Sequence, residues 1–169
     1  MADRNVYPVS LETFAKLVDE SGYPKYQLDQ ERQRLTLDIK GDETILRVHV
    51  VVGKTSEDTV WYTRFLTYSL DFEPRKAGVD REKLLEWVNL KNADLIFGRY
   101  YYDDRTDTVA FELSLPCNGG LLGEDFFDLM RIATVSVDKT HGELKGLAAT
   151  PKAGEAAAPK KRAPSKTKK

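Results

Sequence analysis

In 169 residues the chain has one cysteine, Cys117, and two histidines, His49 and His141. A single cysteine excludes an internal disulfide and fits a reducing compartment. No apolar run approaches the roughly 20 residues that cross a bilayer. The charged opening, MADRNVYPV, lacks the apolar core of a secretory signal. The expectation is a soluble, cytoplasmic protein with no membrane partner. The scarcity extends to chemistry, since catalysis needs a nucleophile, a base and an orienting group that can meet. His49 falls mid-strand on a polar side beside Arg47 and reads as a solvated sheet residue. His141 falls at the end of the last helix, where a cation suits the dipole. Cys117 has no histidine near it in sequence and reads as a small side chain. Asp103, Asp104 and Asp107 lack the central glycine and closing glutamate of a calcium loop, and a polar turn explains all three. The Gly119–Gly123 stretch has no lysine-serine or lysine-threonine end for a phosphate loop. Cysteine and histidine are nowhere paired at zinc spacing. The reading is no enzyme activity, no metal, no cofactor and no small-molecule substrate.

The formal net charge of −1 hides an asymmetry. From Thr150 onward there are seven basic residues (Lys152, Lys160, Lys161, Arg162, Lys166, Lys168, Lys169) and one acid, Glu155. Removing them from totals of 26 basic and 27 acidic residues leaves 19 and 26, so the body stands at −7 and the tail at +6. The tail has no aromatic and almost no large aliphatic residue, with prolines spaced through it. Such a segment buries too little apolar surface to offset its ordering entropy and is expected to stay disordered. The division is a folded domain over 1–149 and a basic tail over 150–169.

Within the domain, Thr59 to Glu73 (TVWYTRFLTYSLDFE) alternates longest. Val60, Tyr62, Leu66, Tyr68, Leu70 and Phe72 fall on one side, read as buried. Thr59, Thr63, Thr67, Ser69 and Asp71 fall on the other, read as open. Trp61 and Phe65 break the rule by joining the polar side. Ser10 caps a first helix that Gly22 ends, and Tyr23-Pro24 starts an extended segment. Short strands follow at Tyr26–Leu28, Leu35–Ile39 and Thr44–Val52, making an antiparallel meander with the long strand. Asp80 caps a second helix ending near Asn92. Leu95–Tyr102 and Thr108–Leu115 form a hairpin, and Phe126, Met130, Ala133 and Val137 mark a helix from about Glu124 to about His141. The fold class is α+β, an antiparallel sheet with helices mainly on one face, in the order α-ββββ-α-ββ-α.

Three places in this order resemble the YbjN family, bacterial proteins with the fold of type III secretion chaperones. The opening helix runs into Gly22-Tyr23 and a strand. The helix LLEWVNLKN (Leu84 to Asn92) is followed directly by IFGRYYYD (Ile96 to Asp103). The strand ending FELSLP (Phe111 to Pro116) leads through a glycine loop into GEDFFDLM (Gly123 to Met130). The likeness spans about residues 10 to 141, leaving out the long strand and the tail. It implies a homodimeric, non-enzymatic domain that binds segments of other proteins.

Two surfaces then stand out. Trp61 and Phe65, with Arg47 and His49 on the neighbouring strand, are expected to form an aromatic-cationic patch for a protein client or a second copy. Removing Trp61 and Phe65 should then weaken association more than folding. The basic tail suits non-specific contact with DNA, RNA or an acidic partner. An acidic body beside it points to a protein partner that is itself a nucleoprotein, such as a repair or single-strand-binding factor.

Overall fold

The computed structural model describes residues 6–23, 25–54 and 61–148. The tail, Thr59, Val60 and Pro24 lie outside them. The element order is β1 (Val6–Tyr7), α1 (Leu11–Ser21), β2 (Tyr26–Asp29), β3 (Arg34–Lys40), β4 (Ile45–Lys54), β5 (Trp61–Ser69), α2 (Arg81–Ala93), β6 (Arg99–Asp103), β7 (Thr108–Pro116), β8 (Leu121–Leu122) and α3 (Gly123–Gly146). The local signals explain most boundaries. Ser10 Oγ accepts from the Thr13 N–H at the start of α1, and Gly22 ends that helix in the left-handed region (φ 71°). The Asp80 carboxylate accepts from the Glu82 and Lys83 N–H groups to open α2. Glu124 and Asp125 place negative charge in the first turn of α3, where the helix dipole favours it.

One antiparallel sheet runs β2-β3-β4-β5-β7-β6, so the meander is followed by a hairpin entered from its far strand. A second, two-stranded sheet pairs β1 with β8. At two residues each, these strands are too short to show a period, and the sequence reading has neither. All three helices lie against one face. Phe126 of α3 stacks on Phe14 of α1 with centroids 4.7 Å apart and tilts on Phe65 of β5 at 5.6 Å. Trp87 of α2 meets Tyr100 of β6 edge-on at 5.4 Å, and Tyr100 meets Phe111 of β7 at 5.0 Å.

The faces of β5 are the reverse of the sequence expectation. Residues paired across an antiparallel sheet share a face. Val48 pairs with Thr67, Val50 with Phe65 and Val52 with Thr63. These valines are core, so Thr63, Phe65 and Thr67 are core too, beneath α3. Phe65 is fully buried, while Tyr62, Arg64, Leu66 and Tyr68 point to the uncovered side. The threonines give room for the large rings and thioether of α3, and their Oγ1 atoms have no hydrogen-bond partner. His141 is also corrected. The last helix continues past it to Gly146, and the ring is 1% exposed, edge-on to Phe72. It is a core residue, not a solvated cation at a helix end.

Single side chains pin the loops to this scaffold. The Asp138 carboxylate of α3 accepts from the N–H groups of Asp42, Glu43 and Thr44 in the β3–β4 turn. Gly41 is required there, because a Cβ would collide with that carboxylate. Asp107, buried in the β6–β7 turn, accepts from the Arg75 and Lys76 N–H groups and from Tyr102 Oη. Of the three turn acids, Asp107 therefore serves the fold, while Asp103 and Asp104 meet Arg105 and Arg81 at the surface.

Phe65→Ala is expected to lower the unfolding free energy by about 3–5 kcal/mol, the cost of emptying a buried ring site. Trp61, at 42% exposure, should cost much less. Urea melts of the two variants check this, and equal losses would contradict the assignment of faces.

Candidate protein-interaction face

The four residues first grouped as a patch separate in space. Trp61 shares the helix side of β5 with Phe65 by alternation, but it sits at the strand's open end. Its N–H donates to Asn118 Oδ1 (2.8 Å), its carbonyl accepts from the Cys117 N–H (2.8 Å), and Lys54 Nζ lies 4.9 Å from its ring centroid. The indole edges a hollow of about 490 Å³ with Val6, Tyr7 and Cys117, whose thiol is itself buried. Phe65 is in the core. Arg47 and His49 are on the opposite side of the sheet, as their polar neighbours suggested.

That opposite side is the candidate site. Its make-up follows from register alone. One row across the strands reads Asp38, Arg47, Tyr68, Ala110, Tyr101. The next reads Gln27, Thr36, His49, Leu66, Glu112, Arg99. A third reads Asp29, Arg34, Val51, Arg64, Ser114. Further along, Tyr62 lies over Gly53, where a Cβ would strike the phenol ring, and Arg64 stands 5.6 Å from the Tyr62 centroid. Among the described residues no helix covers these rows. Even so, Ala110 and Glu112 are only 3% and 8% exposed, because longer neighbours lean over them.

Each arginine of these rows lies against a carboxylate, Arg64 and Arg99 sharing one. Arg47 holds Asp38 through two bonds of 2.7 and 2.8 Å. Arg34 reaches Asp29 at 3.3 Å, while Arg64 and Arg99 approach the Glu112 carboxylate at 3.5 and 3.4 Å. The Arg47 guanidinium holds the Asp38 carboxyl below its ordinary value against the effect of burial. His49 bonds Thr36 Oγ1 (2.9 Å) through Nδ1 and Tyr68 Oη (3.2 Å) through Nε2. Burial, then the nearby Arg34 and Arg47, push its pKa down to about 4 against the pull of Asp38. The imidazole is therefore neutral at pH 7. Between Tyr68 and Tyr101 the face dips into a hollow of about 300 Å³ floored by Leu66 and Ala110.

Both nitrogens of the imidazole are occupied, by the hydroxyls of Thr36 and Tyr68. Among the described residues there is no group of three histidines, cysteines or carboxylates able to hold a metal, and no helix is long and apolar enough to cross a membrane. Sequence reasoning placed Tyr62, Leu66 and Tyr68 on the buried side and did not single out Tyr101 or Ala110. The signal that could have found them is the unbroken run Leu46, Val48, Val50, Val52 next door, which fixes the core side of β5 through pairing.

Folding should lose stability as pH falls from about 6.5 to about 4, because the unfolded chain binds a proton there that folded His49 refuses. Buried His141, also held below its ordinary value by burial and Lys145, adds in the same sense. His49→Gln is expected to flatten part of this slope in urea melts across that range. A His49 ring signal titrating near 6.5 by NMR would contradict it.

The family model YbjN, described as "Putative bacterial sensory transduction regulator", matches residues 10–140. A solved structure, "Crystal structure of YbjN, a putative transcription regulator from E. coli", is similar with a TM-score of 0.56 and 14% identity. The likeness covers 82% of this chain and 96% of that one. At this identity it is a likeness of fold. No curated protein matches the chain.

Proposed function

Because the chain belongs to the YbjN family, whose description is that of a regulator, we propose that it is a non-enzymatic, homodimeric, chaperone-like adaptor that binds a protein partner through the helix-free face of its sheet. The observation that carries this is the allocation of side chains on β5. The strand gives threonines to its core and sends Tyr62, Leu66 and Tyr68 outward. The hydrophobicity of β5 taken by itself favours the opposite allocation, since burying large apolar groups is the main driving force. A face rich in tyrosine and arginine matches the residues enriched at protein interfaces. Its paired charges leave little net field, which favours a protein surface over a polyanion.

The test places a photo-crosslinking residue at position 66 on the open face or at position 90 on exposed α2, in cells or native lysate. Adducts are expected from position 66 and not from 90. Leu66→Lys should cut partner affinity at least tenfold, about 1.4 kcal/mol, with the melting temperature nearly unchanged. Adducts of equal yield at both positions, or an undiminished affinity, would refute the reading.

A second reading rests on the +6 tail beside a −7 body. The tail contacts nucleic acid without sequence preference and so holds the adaptor near a nucleoprotein client, such as a repair or single-strand-binding factor. Each phosphate neutralised on duplex DNA contributes about −0.9 to the slope of log affinity against log salt, so seven cations limit it to about −6. Deleting residues 150–169 is expected to abolish salt-sensitive DNA binding and leave self-association intact in sedimentation. Retained binding would rule the tail out.

A further inference from the structure

We infer that the hollow between Tyr68 and Tyr101 is a slot for one neutral aromatic side chain presented by a partner's extended segment. This rests on the open-face reading above and says what that face recognises. The slot follows from a single row of the sheet. Ala110 pairs with Tyr68 on one side and with Tyr101 on the other, so the smallest side chain in the row stands between two rings. Strands lie about 4.8 Å apart, which puts the two tyrosine Cα atoms about 9.6 Å from each other. A ring seated between two others needs roughly 7–8 Å, one contact distance of 3.5–4.0 Å on each side. Backbone spacing of that size leaves room for one flat group over Ala110, in the hollow of about 300 Å³.

The Tyr68 ring is also held to one side of the gap. Tyr68 leans towards β4, where its hydroxyl meets His49 Nε2 and its ring centroid lies 5.6 Å from the imidazole. Tyr101 stands on β6, an edge strand with no further neighbour in the sheet. Ala110, only 3% exposed, floors the gap, with Leu66 beside it.

The chemistry of the lining decides which flat group enters. Arg34 at one end is held by Asp29 at 3.3 Å, and Asp103 at the other is held by Arg105 at 3.2 Å. His49 is neutral, and both its ring nitrogens are spent on Thr36 and Tyr68. Thr108 Oγ1 donates to the Thr106 carbonyl at 3.0 Å. A guanidinium or a carboxylate would find its counter-charge already engaged. A neutral ring asks for none and gains offset or edge-on contact with both tyrosines.

The test uses acetyl-Gly-Trp-Gly-amide and acetyl-Gly-Leu-Gly-amide as probes, titrated into the full-length ¹⁵N-labelled protein. The tryptophan peptide is expected to shift the amides of Tyr68, Tyr101 and Ala110 saturably, with an affinity at least fivefold above that of the leucine peptide. Ala110→Leu fills the slot and should abolish those shifts. Tyr101→Ala, on the exposed edge, removes one wall without filling the floor and should weaken binding to the leucine level, with circular dichroism confirming the fold of each variant. Equal binding of the two peptides, shifts located elsewhere, or unaltered binding by Ala110→Leu would overturn the slot. If that happens while position-66 crosslinking persists, the slot falls and the adaptor face stands. If both fail, both fall.

Discussion

The pairing of β4 with β5 determines the rest of the molecule. It runs without a break from Leu46 opposite Ser69 to Lys54 opposite Trp61. Because strand side chains alternate, a slip of one residue would exchange every side chain of β5 between core and surface. The valines of β4 prevent that slip. Val48, Val50 and Val52 must face the helices, and their partners Thr67, Phe65 and Thr63 go with them. Phe65 then meets Phe126 and through it Phe14, tying the sheet to α3 and α1. The same register sends Tyr62, Leu66 and Tyr68 to the side no helix covers.

Two properties of that side belong together. It is rich in rings and arginines, yet electrically quiet, because each arginine of the central rows lies against a carboxylate. Glu112 is the clearest case. Almost buried, it has two guanidiniums approaching it on a face that faces water. Loose surface arginines would attract any polyanion. Arginines committed to neighbours instead lay their planar groups and aliphatic stems over the sheet as contact surface. Seven further basic residues follow Thr150 in the sequence, so on the readings proposed above charge-driven attraction and shape-driven recognition would fall to different parts of the chain.

The architecture was legible in the sequence wherever a single side chain decides a local outcome. Ser10, Gly22 and Asp80 mark helix ends by capping chemistry, and the period of Phe126, Met130, Ala133 and Val137 marks α3. The hairpin and the order of elements, apart from the short β1 and β8, followed from turn residues and alternation. What failed was the assignment of faces in β5. Hydrophobicity says which residues prefer burial, not which strand face has a helix to cover it, and β5 obeys its neighbour. The same limit hid the site, since Tyr62, Leu66 and Tyr68 look like core until β4 supplies the register. His141 was misjudged for another reason. The helix runs past Gly142, and a polar ring at its apparent end is in fact packed on Phe72.

The loops explain why the open face can act as a ready surface. Among the described residues, four short polar side chains accept backbone N–H groups across gaps in sequence at corners of the sheet. Asp138 holds the β3–β4 turn, and Asp107 holds the segment between β5 and α2. Asn92 bonds both the N–H and the carbonyl of Tyr100, fixing β6 to the end of α2, and Asn118 receives the Trp61 N–H at the start of β5. With its corners fixed from the helix side, the sheet has few ways to flex when a partner arrives. Association then carries little ordering cost on this side of the interface, and affinity depends on how well the partner's side chains fill the rows. On the slot proposed above, specificity would come from the spacing of Tyr68, Ala110 and Tyr101.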